Sequence, residues 1–257
     1  MAEGQQPAQA SIVRINGVPI LNVTMEQALD LIGGCIAAGE RRSVFFLNAH
    51  CINVSAGDAA YRSLLLREDA LVFGDGIGVR IASWLKKKPL RDNVNGTDMF
   101  PLLCRRAAER SWSLFFLGAQ PGVPDEAARR ITPQYPGLRI AGVHHGYFAE
   151  SDEEALLQAI NTSGAQVLLV ALGVPRQEQW IAAHREKLQL PVVMGVGGLF
   201  DYYSGRIPRA PRVLRKAALE WAWRLAMEPG RMWRRYLVGN FAFMGRVLWW
   251  NLTHRTE

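Results

Sequence analysis

Leu71-Val72-Phe73-Gly74-Asp75-Gly76-Ile77-Gly78 is the stretch on which the reading of this chain turns. A short apolar run ends in a carboxylate set between glycines, and an amphipathic segment beginning Val79-Arg80-Ile81-Ala82 follows. Such a run reads as a buried strand, which puts Asp75 at the strand's carboxyl end, where open α/β sheets place their ligands. Asp is also a preferred helix N-cap, so two roles are open for Asp75: a base facing a ligand, or a cap on the next helix.

Working outward, the same pattern recurs. Ser43–Leu47 reads as a strand running into Asn48-Ala49-His50, with a helix from Cys51 to Leu66. Ser113–Leu117 ends in Gly118-Ala119-Gln120-Pro121-Gly122, and Leu138–Val143 leads to His144-His145-Gly146-Tyr147-Phe148. Gln166–Leu172 is followed by Gly173-Val174-Pro175-Arg176-Gln177, and Pro191–Val196 by Gly197-Gly198-Leu199-Phe200-Asp201. Between these runs lie helices. Thr24 with Gln27, and Ser151 with Glu154, have the spacing of capping boxes. Before the first helix, Ile12–Ile20 predicts a hairpin about Asn16-Gly17. Nearly continuous apolar strands alternating with helices specify an α/β fold, Rossmann-like, with a mainly parallel sheet covered on both faces.

The 257 residues and 49% apolar content suffice for a real core. We divide the chain into a flexible start at 1–10, a catalytic α/β domain at 11–210 and a basic amphipathic helical appendage at 211–257. The division follows the charge. From Arg206 onward there are eleven basic residues against three acidic ones, so of the net charge of +7 everything earlier carries about −1. Basic tails meet nucleic acid or an anionic membrane surface. Here the arginines are interleaved with aromatic residues, and Trp233, Leu237, Phe241, Met244 and Leu248 recur at helical spacing, which favours a helix lying on a membrane. Arg246 interrupts the most apolar part, Tyr236 to Leu252, which is too short to span. Packing against the protein's own core, or a homo-oligomer interface, is the other use of such a face. Cys35, Cys51 and Cys104 have no metal-ligand spacing and read as buried thiols of a reducing compartment. The N-terminus has no signal-peptide pattern, so a cytoplasmic location is expected.

Glycines after strands let bare amides approach an anion such as a nucleotide phosphate. Neither a Walker sequence nor the dinucleotide fingerprint is present, and a carboxylate inside a pyrophosphate loop repels its ligand. Asp75 therefore reads better as a general base for a hydroxyl than as part of a phosphate cradle.

Taken together and in order, Phe73-Gly74-Asp75-Gly76-Ile77-Gly78, His145-Gly146-Tyr147-Phe148, Gly173-Val174-Pro175-Arg176-Gln177-Glu178 and Gly195-Val196-Gly197-Gly198-Leu199-Phe200-Asp201 resemble the WecG/TagA/CpsF family of bacterial glycosyltransferases. Leu219-Glu220-Trp221, Glu228-Pro229, Arg231 and Arg234-Arg235-Tyr236-Leu237 complete the pattern, which runs from about Val13 to Leu237. The resemblance implies an inverting, metal-independent transfer of a hexose from a UDP-sugar to a saccharide on a polyprenyl diphosphate. No cofactor and no nucleic acid are implied, and the place of action is the cytoplasmic face of the inner membrane. It implies Asp75 as base, with Gln177 and Asn48 beside it. Gly118, Gly173, Gly197, Gly198, Asp201 and Asn93 fall at nucleotide and sugar segments, and Arg224, Arg231 and Arg234 reach the diphosphate. Phe46 and Asn93 depart from residues common in the family, which leaves glucose, N-acetylmannosamine and its uronic acid open as the donor sugar.

Read on its own, the chemistry agrees. The sequence has no Asp-x-Asp pair, and arginine binds phosphate oxygens bidentately. Spacings of seven and three align Arg224, Arg231 and Arg234 on one side of a helix, provided Pro229 does not break it. Each candidate also has a plainer use: Asn48 as a cap, Gln177 as a polar residue in a first helical turn, and the arginines as solvated surface. The competing class is a nucleotide- or nucleic-acid-binding module without chemistry, which accounts for the basic tail but not for Asp75 and Gln177.

Overall fold

The computed structural model describes residues 11–211, 213–214 and 219–253, with the Arg231 side chain outside that description. The segment 1–10 expected to be flexible therefore lies outside the described residues. Strands β1 (Ser11–Ile15) and β2 (Val18–Asn22) form the expected hairpin, with Asn16 and Gly17 both in the left-handed region at φ 50° and 77°. Then come α1 (Met25–Ala38), β3 (Arg42–Leu47), α2 (Ala49–Gly57), α3 (Ala59–Leu65), β4 (Ala70–Gly74), α4 (Ile77–Leu85) and α5 (Gly96–Arg110). The second half carries β5 (Ser113–Gly118), α6 (Val123–Ile131), β6 (Arg139–His144), α7 (Glu153–Thr162), β7 (Val167–Ala171), α8 (Arg176–His184), β8 (Val192–Gly195) and α9 (Leu199–Tyr203).

Strands β3 to β8 make one six-stranded sheet in the order β4-β3-β8-β7-β5-β6, every pair parallel. Because side chains alternate across a strand, the sheet builds two separate cores. Phe45, Leu47, Phe115, Leu117, Leu168 and Val170 face one core, which the hairpin, α2 to α4, α7 and α8 cover. Val44, Phe46, Leu114, Phe116, Leu169 and Met194 face the other, under α1, α5, α6 and α9. Helices on both faces account for strands that are apolar along their whole length.

Local chemistry explains most boundaries. Thr24 and Gln27 form the capping box at α1, and the chain leaves that helix through Gly39 at φ 67°. Two expectations are corrected. The helix foreseen over Cys51–Leu66 is two helices, because Asp58 interrupts the first and caps the second by accepting from the Tyr61 amide at 2.9 Å. Ser151 and Glu154 do not form a box: a 3₁₀ turn over Glu150–Asp152 delays the start of α7 to Glu153, and the Ser151 hydroxyl bonds Asp152 instead.

The last described segment comprises α10 (Glu220–Met227), α11 (Pro229–Trp233), a π-helical turn (Arg234–Val238) and α12 (Gly239–Thr253). The backbone leaves the helical region at Glu228 (φ −133°, ψ 59°), just before Pro229, so the arginines do not share one continuous helix. Phe243 and Val247 of α12 are buried in the core beneath the hairpin, each such burial worth about 1.5–3 kcal/mol. Trp233, Leu237, Phe241 (81% exposed), Leu248 and Trp249 remain in solvent. No helix among the described residues is long and apolar enough to cross a membrane.

Candidate active site

The carboxyl ends of β3 and β4 open into a cavity of about 480 Å³, closed on another side by α10, the π turn and α12. The Asp75 amide donates to the Leu47 carbonyl at 2.9 Å, which ties the end of β4 to the end of β3. Gly76, at φ 88°, then turns the chain into α4, a conformation that only glycine adopts at little cost. Its amide donates to Asn93 Oδ1 at 2.6 Å, so Asn93 pins the turn. The N-cap of α4 is Gly76, with no side-chain cap. Asp75 is thus not a cap, and its carboxylate faces the cavity.

Asn48 does cap a helix, and that use aims it. Its Oδ1 accepts from the His50 and Cys51 amides at 3.0 and 3.2 Å, which fixes the amide plane and turns Nδ2 toward Asp75 Oδ2 at 3.4 Å. Burial pushes the Asp75 carboxyl up to about 6, against the pull of the Asn48 amide and the Arg235 charge. A carboxylate with this affinity for a proton suits general-base work near neutral pH. Burial, with Arg235 adding to it, pushes the His50 imidazole down to about 4, so it stands neutral on the cavity wall.

The cationic wall differs in membership from the sequence expectation. Arg224 lines the cavity, its Nη1 donating to the Tyr202 hydroxyl at 3.3 Å and its guanidinium 5.3 Å from the Tyr202 ring. Gly198 makes room for it, since a Cβ there would lie 2.8 Å from Arg224 Nη2. Arg234 is exposed, its guanidinium over the Trp233 ring, whereas its neighbour Arg235 lines the cavity with Nε buried and without a partner among the described residues. The side chain of Arg231 lies outside the described residues. The sequence analysis, which took Arg224, Arg231 and Arg234 from the family resemblance, did not single out Arg235, which lies in a π turn, a feature frequent at functional sites. It also passed over Arg80, Asn95, Thr97 and Asp98, which follow the Gly74–Gly78 segment and line the cavity, and Glu220 as a wall residue. Arg209 joins Asp98 (2.7 Å) to Glu220 (3.8 Å) and so ties α10 to the sheet domain.

The sequence profile of the glycosyl transferase WecG/TagA/CpsF family matches residues 13–257. The chain belongs to that family. Among similar proteins is the N-acetylglucosaminyldiphosphoundecaprenol N-acetyl-beta-D-mannosaminyltransferase of Bacillus spizizenii, 37% identical over 177 residues, covering 69% of this chain and 67% of the relative. A protein of the same name from Staphylococcus aureus strain MW2 is 29% identical over 241 residues, covering 93% and 94%. Membership decides for an enzyme over a non-catalytic binding module: the chain is a glycosyltransferase.

In this glycosyltransferase Gln177 lies beside the cavity rather than in its wall. It is buried in the first turn of α8, its Oε1 accepting from the Gly197 amide at 2.9 Å and its Nε2 donating to Glu178 Oε1 at 2.9 Å. Burial pushes the Glu178 carboxyl up to about 7, offset in part by the Gln177 amide, and its second oxygen has no partner among the described residues. Gln177 thus clamps the loop after β7 to the loop after β8. Gly173 and Gly197 border open space at these loops, while Gly118 packs against the Ala171 backbone. None of the three lines the cavity, and Asp201 is turned away from it, buried and paired with Arg206 at 3.2 Å. His144 and His145 lie with their rings 4.7 Å apart and tilted at 45° at the end of β6, next to Phe148 and also outside the cavity.

Proposed function

We propose that this glycosyltransferase moves a hexose from a UDP-sugar to a saccharide carried on a polyprenyl diphosphate, with inversion and without a metal, during assembly of a cell-surface polysaccharide. The observation that carries the reading is Asp75: a carboxylate raised to about 6, released from capping duty, on a cavity that also presents Arg224 and Arg235. As the acceptor oxygen attacks the anomeric carbon, Asp75 takes its proton. The bond from that carbon to UDP breaks, and the charge growing on the outgoing diphosphate meets the two guanidinium groups. The names of the Bacillus and Staphylococcus relatives supply the acceptor class, a sugar diphosphate on undecaprenol.

The catalytic domain is residues 11–210, and the tail from 211 onward is the membrane-binding appendage. Exposed Trp233, Leu237, Phe241 and Trp249 beside exposed Arg234 support a peripheral position on an anionic surface. The test is UDP release by purified protein given UDP-glucose, UDP-N-acetylmannosamine or its uronic acid with a lipid-diphosphate sugar acceptor, with and without EDTA. Turnover of one donor, unaffected by EDTA and abolished in Asp75→Asn, is expected. Absence of release with every donor, or loss on chelation, refutes the reading.

A further inference from the structure

One face of α4 carries Ile77, Arg80, Ile81 and Trp84, spaced so that a single guanidinium stands in an otherwise apolar row. Ile77, Arg80 and Ile81 line the cavity, as do Phe243 and Met244 of α12, which packs on the first turn of α4. The Arg80 guanidinium lies 5.6 Å from the Trp84 ring, and its Nε is buried without a partner. No carboxylate pairs with it among the described residues. Trp84, 53% exposed, carries the row out to solvent. A cation that costs burial and has no counter-ion among the described residues is poised for an anionic ligand. Its apolar flanks select an anion joined directly to hydrocarbon.

Two diphosphates must occupy this cavity at once if the function proposed above is right, and they repel unless each has its own cations. Arg224 and Arg235 come from the tail, Arg80 from the sheet domain. We propose that the α4 row is the acceptor's lipid subsite. Arg80 binds the phosphate next to the prenyl chain, and the first isoprene units run along Ile77, Ile81, Phe243 and Met244 toward Trp84. The donor diphosphate is left to Arg224 and Arg235. This assignment rests on the polyprenyl-diphosphate reading of the acceptor.

The experiment measures KM for donor and acceptor in Arg80→Gln, Arg80→Lys and Trp84→Ala, using acceptors of short and long prenyl chain. In parallel, equilibrium dialysis measures binding of farnesyl diphosphate, without sugar, to the full chain. Arg80→Gln is expected to raise acceptor KM about tenfold to a hundredfold, to weaken farnesyl diphosphate equally, and to leave donor KM within about twofold. Lysine restores part of the loss, as a charge without the planar fork. Trp84→Ala is expected to flatten the dependence of KM on chain length. A rise in donor KM alone, or displacement of farnesyl diphosphate by UDP, overturns the assignment. Should the wild type turn over no lipid-diphosphate acceptor, the functional reading falls by itself. The dialysis still decides the subsite: binding lost in Arg80→Gln upholds it, and no binding by the wild type ends it.

Discussion

Replacing Asp75 by Asn separates the cost of a buried carboxylate from its use. Burial holds Asp75 at about 6 against a reference of 3.8, so between those pH values the folded chain binds the proton that the unfolded chain has lost. Stability must therefore fall as pH rises through this window and stay level above it. Two units at 1.36 kcal/mol each make the ionised carboxylate a burden of about 3 kcal/mol at pH 8 and about 1 kcal/mol at pH 4.5. Asn removes that burden while its Oδ1 still accepts from Asn48 Nδ2. Urea unfolding followed by far-UV circular dichroism is expected to show Asp75→Asn more stable by about 3 kcal/mol at pH 8 and about 1 kcal/mol at pH 4.5. In the same variant kcat/KM is expected to drop about a hundred- to ten-thousand-fold, and in the wild type to climb with pH to a plateau above about 6. Equal gains at both pH values, or a loss at pH 8, refute the account of Asp75 as desolvated.

Other perturbations test the surroundings. Arg235→Gln is expected to cost at least about tenfold in kcat/KM with a soluble acceptor, and Arg234→Gln less than about twofold, since of these two neighbours Arg235 alone lines the cavity; steady-state kinetics on the pair decides, and the reverse ranking counts against Arg235 as a cation of the site. At Gly118, φ of 127° and a Cβ that would sit 2.5 Å from the Ala171 backbone leave no room for a side chain. Gly118→Ala should lose at least about 3 kcal/mol in chemical unfolding. Arg209→Met cuts the link from Asp98 to Glu220, and limited proteolysis should release the tail several-fold faster than in the wild type.

The parallel sheet was legible because each strand is apolar on both faces and each ends in a turn residue. Asp75 was ambiguous for a definite reason: a strand-to-helix Asp can cap, and only the backbone shows that Gly76 holds the cap position and Asn93 the turn. Asn48 shows that one side chain can cap a helix and line the cavity, since capping α2 is what orients its amide toward Asp75. Arg224, Arg231 and Arg234 came from the family resemblance; their spacing could not say which of Arg234 and Arg235 faces the cavity, because the chain leaves the helix at Glu228 and Pro229. Arg80 escaped notice since an arginine on an amphipathic helix ordinarily reads as its solvated face. Ser151 and Glu154 had correct spacing but met a 3₁₀ turn, a local competition that pattern alone does not resolve.

The helix that ends the described chain is also a keystone for its beginning. Phe243 and Val247 share a core with Val13 and Ile15, and Trp250 rests beside Arg62 at the Asn16-Gly17 turn. Although α3, α4 and β4 pack on the hairpin earlier in the chain, this core closes fully only once the last helix has been made. Such long-range closure is slow and exposes sticky surface. The apolar residues of that helix are therefore the last that the nascent chain has to bury.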